Sequence, residues 1–299
     1  MIKAGTFPNR QQSAITLVTN GQAPAGRNGG TAAPVATNQP ANAPPVLQVD
    51  WSNIPQLNNF HGRQQEITQL EKWVGPDRCR LVAILGIGGQ GKTTLAAHLV
   101  HKLVTSSPSN ANRQDGYALI LWRSLLNAPP VSETLQGWLQ TLSNQAITLL
   151  PATFDQQFAL LLGYLQQRRC LLVLDNLESI LAGSAPTAGK PTRPDSAYRT
   201  GYEAYGELIQ RLAENNHQSC LLFTSREHPQ QLTRLEEDTP LVRTLYLAGL
   251  PTNDGQVMLQ ARGLAGPPPI VASLIQRYAG NPLALNLIAE IIWEIFDGD

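Results

Sequence analysis

Cysteine is nearly absent: Cys79, Cys170 and Cys220 stand far apart in a chain of 299 residues. An odd, scattered set with no Cys-x-x-Cys and no Cys/His grouping excludes a disulfide framework and a zinc site. A reducing, cytoplasmic setting is the expectation. An excess of one charge is missing too. The 22 Lys and Arg balance the 22 Asp and Glu, so no whole-chain field gathers nucleic acid or an anionic membrane surface. Long apolar runs are lacking: stretches such as Leu81 to Leu85 and Leu171 to Leu174 fall far short of the roughly 20 residues a spanning helix needs. The opening MIKAGTFPNR has no apolar signal core, which argues against secretion. No G-x-S-x-G elbow or Cys/His nucleophile pairing is present, and His98 and His101 have no carboxylate beside them to complete a metal site. Cys170 and Cys220 each open an apolar run and read as small core fillers.

What is present divides into three stretches. Residues 1–59 are Gly, Pro, Ala, Asn, Gln and Thr with few charges (Lys3, Arg10, Arg27, Asp50) and no helical or strand period. Such a segment buries too little apolar surface to offset its ordering entropy and reads as a disordered linker. As a flexible coil it would reach on the order of 40 Å, enough to tether a preceding domain. From Phe60 to Leu250, short β-branched or Leu-rich runs alternate with amphipathic stretches, the pattern of a parallel sheet with crossover helices. The fold class is therefore α/β. Five strands are expected, at Leu81 to Leu85, Tyr117 to Trp122, Cys170 to Leu174, Cys220 to Thr224 and Val242 to Leu247. Helices are expected at Gln64 to Val74, Thr93 to Val104, Ser132 to Leu149, Phe154 to Gln167 and Tyr202 to Glu214. The polar, Pro-containing SAPTAGKPTRPDSAYRT reads as a mobile surface loop. Residues 251–299 form a small helical subdomain with helices near Asp254 to Arg262, Ile270 to Tyr278 and Leu283 to Phe296. In the last of these, Ala284, Leu287, Ile288, Ile291, Ile292 and Ile295 keep helical spacing, while Leu283, Leu285, Trp293 and Phe296 widen the apolar surface. A helix apolar on two sides points to a longer parent chain.

The chemistry concentrates in GIGGQGKTT, directly after the first main strand. Gly86, Gly91, Lys92 and Thr93 satisfy G-x-x-x-x-G-K-[ST], and a helix follows at once. Glycines let such a loop curl so that its N–H groups, backed by the positive end of the helix dipole, face phosphate oxygens. Lys92 then bridges the β- and γ-phosphates and the Thr93 hydroxyl holds Mg²⁺. Gly88, Gly89, Gln90 and Thr94 complete the nucleotide-binding set. The pattern arises by chance in roughly one chain of this length in a hundred. CLLVLDNLE delivers Asp175 to the carboxyl end of a buried strand, where it would hold the Mg²⁺ hydration shell. SCLLFTSRE brings Thr224, Ser225 and Arg226 to the same edge, and Arg226 is the candidate γ-phosphate sensor. Lys92, Asp175 and Arg226 are thus the catalytic candidates. Position 176 is Asn, which cannot take a proton from water, so turnover is expected to be slow. Glu178 and Glu227 read as surface or structural acids.

With those residues in view, the chain resembles an NB-ARC-type nucleotide-binding module of the STAND class of P-loop signalling ATPases, from about Phe60 to Phe296. FHGRQQEITQLEKW is similar to the opening hydrophobic-x-Gly-Arg-x-x-Glu motif, and the resemblance places Arg63 near the base and phosphates. YAGNPLAL is similar to the Gly-x-Pro motif, and by resemblance Pro282 packs beside adenine. The wording of several segments resembles modules of large bacterial, especially cyanobacterial, multidomain proteins, in which a winged helix and WD or other repeats follow. The resemblance implies ATP/ADP with Mg²⁺, self-association in the ATP state, and protein partners held by repeats beyond this chain; no repeat of about 20 to 50 residues lies within it. ATP in preference to GTP rests on the resemblance, since no N-K-x-D motif reads guanine. Three readings remain open at this point: a nucleotide-operated switch, a kinase or steadily turning ATPase, and a nucleotide-bound scaffold.

Overall fold

A computed structural model describes residues 47–50, 54–55, 60–105, 116–147, 149–183, 195–264 and 266–296. Most of the stretch read as a linker, and residues 184–194 of the polar insertion, lie outside the described residues. The described elements all fall in one compact unit, Pro44–Asp299.

In chain order the elements are β1 (Gln48–Asp50), α1 (Gln64–Val74), β2 (Leu81–Leu85), α2 (Lys92–Thr105), β3 (Leu119–Ser124), α3 (Val131–Leu142) and α4 (Phe154–Gln167). They continue as β4 (Cys170–Asp175), a 3₁₀ turn at Leu177–Ile180, β5 (Asp195–Ser196), α5 (Glu203–Glu214), β6 (Cys220–Ser225), β7 (His228–Pro229), α6 (Leu232–Asp238) and β8 (Val242–Tyr246). Three helices close the chain: α7 (Thr252–Ala261), α8 (Pro268–Arg277) and α9 (Pro282–Phe296).

The main sheet has six strands in the order β1-β3-β4-β6-β2-β8, and every pairing in it is parallel. Both faces are covered, as parallel sheets require. One face packs Ala83, Leu121, Leu172 and Phe223 under α3, α4 and α5 through Trp138, Phe158, Leu161 and Tyr205. The other packs Val82, Ile84, Trp122, Val173 and Leu222 against Ile67 and Leu70 of α1 and Leu95 and Leu99 of α2. Adjacent strand residues therefore go to opposite layers, and the apolar runs read from the sequence are continuous because neither layer meets water. In register, Leu85 lies beside Ser225 and Tyr246, and Ser124 beside Asp175, so the carboxyl ends of β2, β4 and β6 share one edge.

Four expectations need correction. The sheet has six strands, not five; the extra edge strand β1 comes from within the stretch read as linker. Three residues are too few to show a period, yet Leu47 and Val49 pack on the core and Arg123 pairs with Asp50. The helix expected to run to Leu149 ends at Leu142, where Asn144 and Gln145 turn left-handed (φ 51° and 65°). The last part of the polar insertion is not a surface loop: Ser196 and Tyr198 are buried, and Gln231 donates to the Tyr198 hydroxyl at 2.6 Å. Finally, α9 buries Leu285 and Ala289, with Ile292 half-buried, against Met258, Leu259 and Ile275 of α7 and α8, while Leu287, Ile291 and Ile295 of the expected stripe are exposed. The N-terminus of α9 is anchored elsewhere, and that anchor sets which face turns inward.

Candidate functional site

Gly86 leaves β2 with its N–H donating to Ser225 O at 3.2 Å, and a Cβ there would lie 2.7 Å from Leu247 O. Only glycine fits between β6 and the strand exit of β8. Gly89 and Gly91 take φ of 79° and 84°, left-handed values that side chains resist, and these two positions curl the loop into α2. A Cβ on Gly91 would meet nothing within 4 Å, so the loop is open beside that residue. Lys92, 8% exposed, folds back over the loop; its Nζ donates to Gly86 O at 2.8 Å and Ile87 O at 3.1 Å. Burial pulls its ammonium below the usual lysine range, Glu178 opposes that shift, Arg226 adds to it and Asp175 opposes it. Gln90 is buried and its Oε1 meets no donor. Thr94 sits half-buried in the first turn of α2.

Asp175 ends β4 at 3% exposure. Its Oδ1 accepts from Thr93 Oγ1 at 2.7 Å and from Thr224 Oγ1 at 2.6 Å, while its Oδ2 accepts from Asn176 Nδ2 at 2.9 Å. Burial raises this carboxyl above its ordinary value; the Thr224 and Thr93 hydroxyls, the Asn176 backbone and the Lys92 charge pull it back. Thr224 is itself held in place because its oxygen accepts from Asn176 N at 3.0 Å. The donor set of one threonine hydroxyl and one hydrogen-bonded carboxylate beside a phosphate-binding loop fits Mg²⁺ in water-rich coordination. An open loop with an ammonium at its base fits a polyphosphate. The residues present therefore suit a Mg²⁺-nucleotide.

Arg226 lies at the mouth. Its Nε is 3.0 Å from Glu178 Oε1, its backbone N–H donates to Glu178 Oε2 at 3.3 Å, and a Cβ on Gly88 would touch its guanidinium at 3.3 Å. Glu178, 15% exposed, is thus a structural acid of the site: the 3₁₀ turn brings its carboxylate to Arg226, and its charge is felt by Lys92. Arg63 is buried at 5% exposure, with φ 64°, and pairs with Glu66 at 2.8 Å. Its other arm donates to Ala248 O at 2.6 Å and reaches Gln90 O at 3.5 Å. Pro282 is the first residue of α9, and its neighbours touch the loop: Asn281 Nδ2 donates to Gly88 O at 2.9 Å and Leu283 N to Gly89 O at 3.2 Å.

The structure thus gathers Arg63, residues 86–94, Asp175, Arg226 and Pro282 at one edge of the sheet. Thr224 and Asn281 also belong there, without a role assigned to them from sequence, and so does Glu178, which the sequence offered as a surface or structural acid. For Asn281 a signal existed, since Asn before a proline that begins a helix is a cap. For Glu178 none did, because its importance depends on where a four-residue turn aims it.

A parallel sheet whose first central strand runs through a phosphate loop into a helix, with a buried acid two strands away, defines a P-loop NTPase. The sequence matches the NACHT domain family over residues 80–262, and the chain belongs to that family, within the STAND class. It is 42% identical over 252 residues to an uncharacterized WD repeat-containing protein of Nostoc sp., covering 84% of this chain and 19% of that protein. It is 30% identical over 138 residues to the regulatory protein AfsR of Streptomyces griseus, covering 45% of this chain and 14% of that one. The chain thus spans less than a fifth of either curated relative. A crystal structure of a STAND protein with a tetratricopeptide repeat sensor from Pyrococcus horikoshii superposes with a TM-score of 0.53 at 18% identity, covering 81% of this chain and 31% of that one. That likeness supports the fold. Among the described residues no helix is long and apolar enough to cross a membrane, and no group of His, Cys, Asp and Glu forms a separate metal site.

Proposed function

We propose that this chain is the nucleotide-operated switch of a larger signalling protein, binding ADP or ATP with Mg²⁺. The observation that carries the reading is the hydrogen bond of 2.7 Å from Thr93 to Asp175, which joins the phosphate loop to the metal-side acid at the sheet edge. Lys92 exchanges its loop carbonyls for β- and γ-phosphate oxygens, and Thr93 and Asp175 hold Mg²⁺, which neutralises phosphate charge when bound. Arg63 steadies the loop at Gln90 from the base side. Pro282 packs beside the adenine, in the manner of the NB-ARC modules that the Gly-Asn-Pro element resembles. With ADP, α7–α9 stay closed on the sheet. With ATP, Arg226 leaves Glu178 for the γ-phosphate and the closure loosens, since ligands shift such equilibria only through contacts that differ between states.

Hydrolysis is slow: Asn176 cannot act as a base, and Glu178 is neutralised by Arg226 until that arginine moves. Self-association in the ATP state is in keeping with the STAND class, and partners held by repeats outside this chain are in keeping with the WD-repeat character of the Nostoc relative. Fluorescent ADP and ATP titrations test the reading. Charge-assisted hydrogen bonds contribute about 1.5–3 kcal/mol each, so Lys92→Ala should weaken binding about tenfold to a hundredfold. Equal affinity in wild type and Lys92→Ala would end the proposal.

A further inference from the structure

Asn281 performs two tasks with one amide. Its Oδ1 accepts from Leu283 N at 3.1 Å and Ala284 N at 3.2 Å, which caps the first turn of α9. Its Nδ2 donates to Gly88 O at 2.9 Å, across a sequence separation of 193 residues. The fit there is close: a Cβ on Gly89 would lie 2.7 Å from Asn281 Oδ1 and 2.8 Å from Leu283 Cβ. Behind Asn281 the chain is fixed as well. Gly280 takes φ 63°, its carbonyl accepts from Leu250 N at 2.7 Å, and a Cβ on it would lie 2.2 Å from Leu250 O. The start of α9 is therefore clamped between the β8–α7 connection on one side and the phosphate loop on the other.

We propose that Asn281 is the positioning residue that couples the shape of the phosphate loop to the closure of α7–α9. Its amide ties the Gly88 carbonyl to the N-terminus of α9, so that Gly88 and Gly89 cannot reorient without releasing the helix. This deepens the switch reading and rests on it, by naming the side chain through which the loop and the helices sense each other. The choice of residue is chemically specific. An asparagine offers an acceptor toward the helix amides and a donor toward a carbonyl in one rigid group. Serine caps a helix comparably but lacks the NH₂ donor; aspartate also caps, yet presents only acceptors to Gly88 O. Cap and latch are therefore separable by substitution.

The test is amide exchange, read by mass spectrometry on the 299-residue chain without nucleotide, for wild type, Asn281→Ser and Asn281→Asp. With the latch cut and the cap kept, residues 86–91 and the first turn of α9 should exchange about threefold to tenfold faster, the range of one neutral hydrogen bond, while the sheet and the interior of α9 keep their protection. Dissociation of a fluorescent ADP analogue should accelerate by a similar factor. Unchanged exchange of the loop in Asn281→Ser, with normal ADP binding in wild type, would overturn the coupling role and leave the switch reading standing. Faster loop exchange in a chain that binds no nucleotide would uphold the latch and overturn the switch. Should Asn281→Ser lose protection throughout the sheet, Asn281→Asp is judged by the same criterion.

Discussion

Replacing Thr224 by valine would remove the hydroxyl behind Asp175 while keeping the side-chain volume. Thr224 is 1% exposed, donates to Asp175 Oδ1 at 2.6 Å and accepts from Asn176 N at 3.0 Å. A hydrogen bond to a charged group contributes about 1.5–3 kcal/mol, and a backbone N–H left without an acceptor costs about 1–3 kcal/mol more when solvent cannot reach it. Asn176 is only half-buried, which reduces the second cost, so a loss of about 2–4 kcal/mol is expected. For a body of this size that lowers Tm by about 5–15 °C. The pH dependence carries a definite sign. The Thr224 hydroxyl favours the charged form of a carboxyl whose pKa burial has raised, so the variant raises it further. An acid with a raised folded pKa binds protons more readily folded than unfolded, and stability then falls as pH rises through that pKa. The variant feels this more strongly. Its deficit against wild type should be largest on the alkaline side of that raised pKa and shrink as pH falls and Asp175 protonates in both proteins. Urea unfolding on both sides of that pKa, without nucleotide or Mg²⁺, reads the result. A deficit below about 0.5 kcal/mol, or one that does not change with pH, would refute the hydrogen-bonded placement of Asp175.

Two further outcomes are expected. Arg226 is 62% exposed and its pair with Glu178 is a surface pair, so Arg226→Ala should leave Tm within a few degrees of wild type yet reduce the ATP-to-ADP affinity ratio about tenfold by titration. An unaltered ratio would remove Arg226 from the γ-phosphate. Gly249 has no room for a side chain, since a Cβ would lie 1.8 Å from Ala279 O; Gly249→Ala should cost about 1–3 kcal/mol and enlarge the scattering radius by displacing α7–α9, and an unchanged radius and stability would contradict the close approach.

Much of this arrangement was readable from the residues because the relevant signals are local. The β2, β4 and β6 runs are continuous and apolar since both faces of each strand are covered, and α1 and α4 have the expected bounds because apolar spacing and flanking breakers agree. Three features were not readable for a common reason: they depend on a partner distant in sequence. β1 is a strand only because β3 is beside it, Tyr198 is buried only because Gln231 and α5 meet it, and α9 turns Leu285 inward because Asn281 anchors its start on Gly88. Glu178 belongs with these. Nothing in DNLE states that the fourth residue will reach Arg226, which lies 48 positions on.

These distant pairings bear on how a switch of this kind discriminates between ligands. Apart from Gln90 Oε1, the polar groups named in the site are already matched to one another: Lys92 to loop carbonyls, Arg226 to Glu178, Asp175 to two hydroxyls, Asn281 to Gly88 O. Nucleotide binding of the kind proposed therefore exchanges hydrogen bonds more than it adds them, so the net gain per contact is less than the full value of the new bond. In the proposed switch Lys92 meets the β-phosphate of ADP and ATP alike and gains a γ-phosphate oxygen only with ATP. In the same proposal Arg226 would reach a γ-phosphate only by leaving Glu178, an exchange open to ATP alone. The part of the ATP-to-ADP preference that passes through Arg226 is thus the difference between two charge-assisted pairs and is set as much by Glu178 as by the arginine. Weakening the competing acid should therefore favour the ATP-bound form, the opposite of what loss of the arginine does.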